Sequence, residues 1–334
     1  MRRAVCLAAL LALVPCAAQP QTPVKPAYAD IAYAPAEPAA SRGHLLDLYL
    51  PASAGAPVPV VIWTGGSAWR GDQGKESAGW LVPELTKRGY AVAGVSIRST
   101  SQVIFPGQVH DIKAAIRYLR ANASKYGLDG NRIAIMGDSS GGWTTAMAAL
   151  TGDVPELEGN VGVTGVFSAV QAAIAFYPPS DFLMMDAWAL GSCKTAAAGN
   201  GADCHDNADS PESQLVGCAV QQCPGKTALA DPARYISDKD PPIMIFHGEA
   251  DRHVPYVEGM HLYQALNKAC RDAVFISLPK ADHGPAPHFL TDETLNQGAT
   301  IRSTASAGCT VQNPDFYRPT WATVTDFLDR NLKR

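Results

Sequence analysis

Charge is scarce in this sequence. Only 17% of its 334 residues are Asp, Glu, Lys or Arg, and the formal net charge is −4. No stretch gathers the Lys and Arg that would mark a nucleic-acid surface. Long apolar runs are scarce as well. The run from Ala4 to Val14 is too short to anchor the chain as a bilayer-spanning helix, and no membrane signal follows it. There is no internal repeat, which excludes solenoids and propellers. The cysteines form no C-x-x-C pair with His partners, so a zinc site built on them is not expected. What is present is 47% hydrophobic residues, ample for one large core, over a length that fits a single α/β domain.

The first residues read as a targeting segment. Met1-Arg2-Arg3 is basic, Ala4 to Val14 is apolar, and Pro15-Cys16-Ala17-Ala18 ends in small side chains. That is the layout of a secretory signal peptide, with cleavage expected after Ala18 and a secreted or periplasmic product. Lipid attachment at Cys16 is the alternative, which Pro15 fits poorly. Residues 19–43 form a Pro/Ala-rich arm. Six Cys remain beyond the leader: Cys193, Cys204, Cys218, Cys223, Cys270 and Cys309. An even count in an exported chain implies disulfides, and proximity favours 193–204, 218–223 and 270–309 among the possible pairings.

From His44 onward, short apolar strands alternate with helical patterns. The pattern predicts strands at 44–50, 58–63, 90–97, 133–136, 172–177, 243–246 and 273–278. It predicts helices at 81–88, 105–126 and 320–332, and one following the strand at 133–136. Near-continuous apolar strands separated by helices imply a mostly parallel sheet covered on both faces. Residues 182–236 break this rhythm. They are rich in Gly, Asn, Asp and Ala and hold four of the six retained Cys, so they read as a cap-like insertion over the C-terminal strand ends.

At the centre lies Gly137-Asp138-Ser139-Ser140-Gly141, a G-x-S-x-G sequence between a strand and a helix. A nucleophilic serine on such an elbow needs φ > 0, and Gly137 and Gly141 leave room for the turn. The serine also requires a base, a group that orients the base, and an oxyanion hole. Asp251 follows the strand at 243–246, and His283 follows the strand at 273–278. Both fall just past strand ends, in the chain order Ser, Asp, His. Glu249 and Asp282 are the rival acids. His247 reads as structural, His253 as a neighbour of Asp251, and His288 as a residue at the mouth. His110 and Asp111 read as cap and packing groups. The oxyanion donors are expected to be the N–H of Ser140 and those of Gly66 and Ser67. Trp69, Asp138 and Trp188 are candidates for substrate contact, with Asp138 holding the loop as its other reading.

Together these residues resemble an α/β-hydrolase. More narrowly, the chain resembles the esterase/lipase branch called BD-FAE, near acetyl-xylan and feruloyl esterases. The resemblance is carried by Leu46-Asp47-Leu48-Tyr49-Leu50-Pro51, the Thr64–Trp69 loop, the stretch Phe105 to Ala115, the elbow, the stretch Ser210 to Gly217, and Pro242 to Pro255. It spans about residues 44–334. The family's His-Gly-Gly-Gly-Trp loop is here Thr64-Gly65-Gly66-Ser67-Ala68-Trp69, lacking the His and one residue longer. The resemblance implies a serine carboxylesterase acting through Ser139, His283 and Asp251, without metal or organic cofactor, on short-chain or hydroxycinnamoyl esters, free or attached to plant polysaccharide. A peptidase of the prolyl-oligopeptidase kind and a non-catalytic binding protein on the same scaffold are the rival readings. The first lacks its N-terminal propeller here, and the second does not need a complete triad.

Overall fold

The computed structural model describes residues 24–52, 55, 57–191, 204–284 and 288–333. The leader with Cys16, the start of the arm, and Cys193 with its expected bridge to Cys204 lie outside the described residues.

Ten strands form one sheet: β1 (Tyr28–Ala32), β2 (Leu45–Tyr49), β3 (Val58–Thr64), β4 (Ala91–Val95), β5 (Leu128–Asp138), β6 (Ala172–Phe176), β7 (Ile243–Gly248), β8 (Ala273–Leu278), β9 (Thr300–Ala305) and β10 (Thr310–Phe316). Their spatial order is β1-β2-β4-β3-β5-β6-β7-β8-β9-β10. The six strands from β4 to β8 in that order pair in parallel, and antiparallel strands flank them on both sides. The helices are α1 (Val82–Thr86), α2 (Gly107–Ala121), α3 (Ala123–Tyr126), α4 (Ser140–Leu150), α5 (Met185–Trp188), α6 (Pro211–Val216), α7 (Pro224–Thr227), α8 (Tyr256–Lys268) and α9 (Trp321–Leu332).

The apolar strands explain the two covered faces. On β5, Ile133 and Ile135 point to one side, where Ile112, Ile116 and Leu119 of α2, Ala149 of α4 and Leu262 and Leu266 of α8 pack. Ala134 and Met136 point to the other side, onto Val82 and Leu85 of α1 and Val324, Phe327 and Leu328 of α9. Each such buried Ile, Leu, Val, Met or Phe side chain contributes about 1.5–3 kcal/mol through its removal from water. A third cluster fills the base of the insertion, where Trp69, Phe105 and Trp143 meet Phe182, Met185, Leu215 and Val216.

Several boundaries differ from expectation. The arm is not structureless throughout: residues 28–32 pair with β2 as an edge strand, and the buried Tyr33 hydroxyl donates to the carbonyls of Gly43 and Ser96 at 2.6 and 2.7 Å. The helix expected at 105–126 divides at Asn122 into α2 and α3. The hairpin of β9 and β10 was not expected. Most of its residues are polar, its few apolar ones are scattered, and all seven of β10 are exposed, so no apolar alternation marks it. Two expected bridges are present. Cys218–Cys223 lies within the insertion, and Cys270–Cys309 ties the end of α8 to the β9–β10 turn. No helix among the described residues is long and apolar enough to cross a membrane.

Candidate active site

The turn from β5 into α4 sets the geometry of the site. Ser139 has φ 54° and ψ −124°, a conformation that costs a non-glycine residue of order 1–3 kcal/mol. Its N–H donates to the Phe176 carbonyl at 2.9 Å, and its own carbonyl accepts from Trp143 at 3.0 Å. The flanking glycines are sterically required. A Cβ on Gly137 would collide with the Gly141 carbonyl, and one on Gly141 with the Thr64 carbonyl.

The three residues expected to act together do meet. His283 Nε2 lies 3.0 Å from Ser139 Oγ, and His283 Nδ1 lies 2.8 Å from Asp251 Oδ2. Asp251 is fully buried, and its Oδ1 accepts the N–H groups of His253 and Val254, each at 2.9 Å. Burial alone would raise its carboxyl pKa. Hydrogen bonds from His247 and His283 and the charges on those rings outweigh burial, and hold it well below the usual carboxylate range. The carboxylate is thus ionised and aimed at the imidazole.

The rivals fall away on contacts. Glu249 accepts from the Ser277 hydroxyl on β8, and Asp282 is exposed. His247 is buried at the end of β7, where Nε2 lies 3.0 Å from the Val254 carbonyl and 3.5 Å from Asp251 Oδ2. It supports the acid from behind. His253 lines the cleft with its ring 5.3 Å from that of His283. His288 lines a neighbouring crevice with Phe289 and Asp292. His110 packs beneath Gly159. Asp111 is wholly buried in a fork with Arg98 and receives His44, so it is structural.

The hydrogen bonds of the oxyanion loop differ from the expectation. The N–H of Gly66 donates to Asp138 Oδ1 at 2.7 Å, and that of Ser67 to Ser140 Oγ at 2.9 Å. Both expected loop donors are therefore committed. The N–H that follows them in the loop is free. Ala68 sits at φ 51°, lines the cleft, and its N–H has no acceptor among the described residues. The N–H of Ser140, first in α4, likewise has none, and the positive end of the helix dipole adds to it.

Asp138 holds this loop. It is mostly buried, and its Oδ2 accepts the Tyr177 hydroxyl at 3.3 Å. Burial raises its pKa against the opposing hydrogen bond from Gly66. Tyr177 itself was not anticipated. It follows β6 with φ 36°, donates to the Gly284 carbonyl at 2.5 Å, and lays its ring 4.6 Å from that of His283. Its place one residue past a strand end was the available signal. Trp69 does border the cleft, but its ring is buried edge-on against Trp143 and Phe182 at 5.4 and 5.6 Å. Trp188 packs on His261 of α8 at 5.6 Å and is not among the described lining residues. The first turn of the insertion thus packs on α8, away from the expected place of Trp188 as a pocket wall.

The cleft over Ser139 holds about 380 Å³. One wall is polar: His205 Nδ1 lies 2.9 Å from Glu212 Oε2, and both come from the insertion. Arg70 fastens that wall to the oxyanion loop by donating to the Asp209 carbonyl at 2.8 Å and to Gln214 at 3.3 Å.

Comparison with known proteins accords with this architecture. The BD-FAE family model matches residues 46–266. Esterase LipQ of Mycobacterium tuberculosis is 27% identical over 278 residues, covering 82% of this chain and 58% of its own length. The chain spans about half the length of the curated relatives it matches. Among solved structures, a bifunctional GH43-CE protein of Bacteroides eggerthii superimposes with a TM-score of 0.69 at 34% identity, over 80% of this chain and 36% of that one. A truncated carbohydrate esterase from gut microbiota gives 0.73 at 28% identity, over 92% of this chain and 96% of that one. With a parallel sheet, a strand–elbow–helix at its centre and the family model matched over most of its length, the chain belongs to the BD-FAE family of α/β-hydrolases.

Proposed function

We propose that the protein is an exported serine carboxylic ester hydrolase that removes short acyl or hydroxycinnamoyl groups from carbohydrate esters. The unbroken relay from Ser139 Oγ through His283 to Asp251, at 3.0 and 2.8 Å, carries the reading. In this mechanism His283 Nε2 takes the Ser139 proton as Oγ attacks the ester carbonyl. Asp251 fixes the tautomer and stabilises the imidazolium. The N–H groups of Ser140 and Ala68 receive the oxyanion. His283 then returns the proton to the departing alcohol. A water, deprotonated by the same imidazole, attacks the acyl-enzyme and releases the acid.

The substrate class is supported by the cleft and the relatives. A small, polar-walled cleft suits a compact acyl group and a hydroxylated alcohol better than a long alkyl chain. That one structural neighbour is a carbohydrate esterase points the same way. The leader supports export. The test is one panel at one enzyme concentration: p-nitrophenyl acetate, butyrate and octanoate, methyl ferulate, and acetylated xylan. Acetyl or feruloyl esters are expected to exceed octanoate in kcat/KM by about tenfold or more. A preference for octanoate, or activation by emulsified triglyceride, contradicts the substrate class.

A further inference from the structure

The insertion leaves the sheet just after β6 and returns just before β7. Its two stems and α8 bring together three side chains that the hydrolytic relay does not use: Asp181, Asp231 and His261. One ligand atom from each lies within 4.8 Å of the others, and all three residues are half-buried. They are separated by 50 and 30 residues in sequence, so no spacing motif announces them.

Each carboxylate accepts one backbone N–H through a single oxygen. Asp181 Oδ1 accepts the Leu183 N–H at 3.1 Å, and Asp231 Oδ1 accepts the Ala233 N–H at 2.8 Å. Asp231 Oδ2 faces His261 Nε2 across 3.6 Å, beyond hydrogen-bond reach. That nitrogen is shielded from water and has no hydrogen-bond partner. A buried ring nitrogen directed at carboxylates without bonding them leaves room for a bridging ion.

A second observation comes from Glu258, one helical turn before His261 on the same face of α8. It is fully buried. Its Oε2 accepts the N–H of Ser180 at 2.6 Å and that of Asp181 at 2.8 Å, while its Oε1 is buried with no partner at all. Among the described residues no lysine or arginine pairs with Asp181, Asp231 or Glu258. When protonated, His261 supplies the positive charge that faces Asp231, and a metal ion would take the place of that proton.

We propose that Asp181, Asp231 and His261 bind a zinc ion that clamps both stems of the insertion to α8. An imidazole with two carboxylates is a zinc donor set, whereas calcium takes six to eight oxygens. None of the three lines the cleft over Ser139, so the ion is structural. Its role is to fix the insertion that carries His205 and Glu212 in the cleft wall.

The test uses the full chain without a histidine tag, stripped with chelator and titrated calorimetrically with zinc chloride and, separately, calcium chloride. One zinc per chain is expected, with calcium at least about tenfold weaker, and with a Tm that rises with zinc concentration. Asp231→Asn keeps the Ala233 cap through its amide oxygen, so it should fold. Asp231→Asn and His261→Ala should each weaken zinc binding by about tenfold or more. Their zinc-free kcat/KM on p-nitrophenyl acetate should stay within about twofold of the parent. Absence of zinc binding at about 100 μM, tighter binding of calcium, or unchanged zinc affinity in both variants would overturn the proposal.

Discussion

The carboxylate of Asp138 accepts the backbone N–H of Gly66 at 2.7 Å, and so joins the residue before the nucleophile to the oxyanion loop. Its other oxygen receives Tyr177, which in turn holds the Gly284 carbonyl beside His283. One buried acid thereby fixes both loops around Ser139. Asp138→Ala should lower kcat by about a hundredfold with a smaller change in KM, because the transition-state donors lose their support. Asp138→Asn retains an oxygen for Gly66 and should lose about tenfold or less. Equal losses in both variants would show that charge, not anchoring, is what matters at this position.

Asp251→Asn should reduce kcat by orders of magnitude, up to about 10⁴, since an amide can hold the wrong imidazole tautomer. His283→Ala should cost more. Glu249→Gln and Asp282→Asn should remain within about threefold of the parent, because neither side chain reaches His283. Steady-state rates on one p-nitrophenyl ester rank the four. A larger loss in either of the last two would mean that a different acid serves the relay.

The two observed bridges should contribute unequally. Cys270–Cys309 closes 39 residues and Cys218–Cys223 only 5. Chain entropy gives about 4 kcal/mol for the first and about 2 kcal/mol for the second. Replacing Cys270 and Cys309 by Ser should therefore lower Tm more than replacing Cys218 and Cys223, as differential scanning calorimetry would show. The reverse order would place the insertion, not the β9–β10 hairpin, as the region most in need of a covalent tie.

Asp240, at the end of the returning stem, has its carboxyl pKa raised by burial to about 7, despite hydrogen bonds from Ser237. The fold favours its protonated form. Its contribution is present below the ordinary value of 3.8 and is lost as pH rises through about 7. Asp240→Asn should thus gain Tm relative to the parent as pH moves from about 5 to about 8. A relative Tm that does not change across that window would show that the carboxylate is well solvated.

Much of this was legible from residues alone, for reasons that can be named. The inner strands each carry a continuous apolar run, so β3 and β5 to β8 declared themselves. Ser139, Asp251 and His283 each stand just past such a strand, and topology brings strand ends together. Which loop N–H stays free depends on where Asp138 and the Ser140 hydroxyl reach, which no pattern encodes. The N–H of Ser67 goes to Ser140 Oγ, a contact between residues 73 apart in sequence. Trp188 looked like a pocket wall, but composition does not say which side of a short helix faces α8. β10 was invisible because an exposed edge strand needs no apolar face.

The central claim is that Ser139 is the nucleophile of an ester hydrolase. It is tested most directly by kcat/KM on p-nitrophenyl acetate for the parent and for Ser139→Ala, with circular dichroism to establish that both are folded. The account predicts measurable hydrolysis by the parent and a loss of about 10³-fold or more in the variant. Retention of more than about a tenth of the parent rate by a folded Ser139→Ala protein would contradict it.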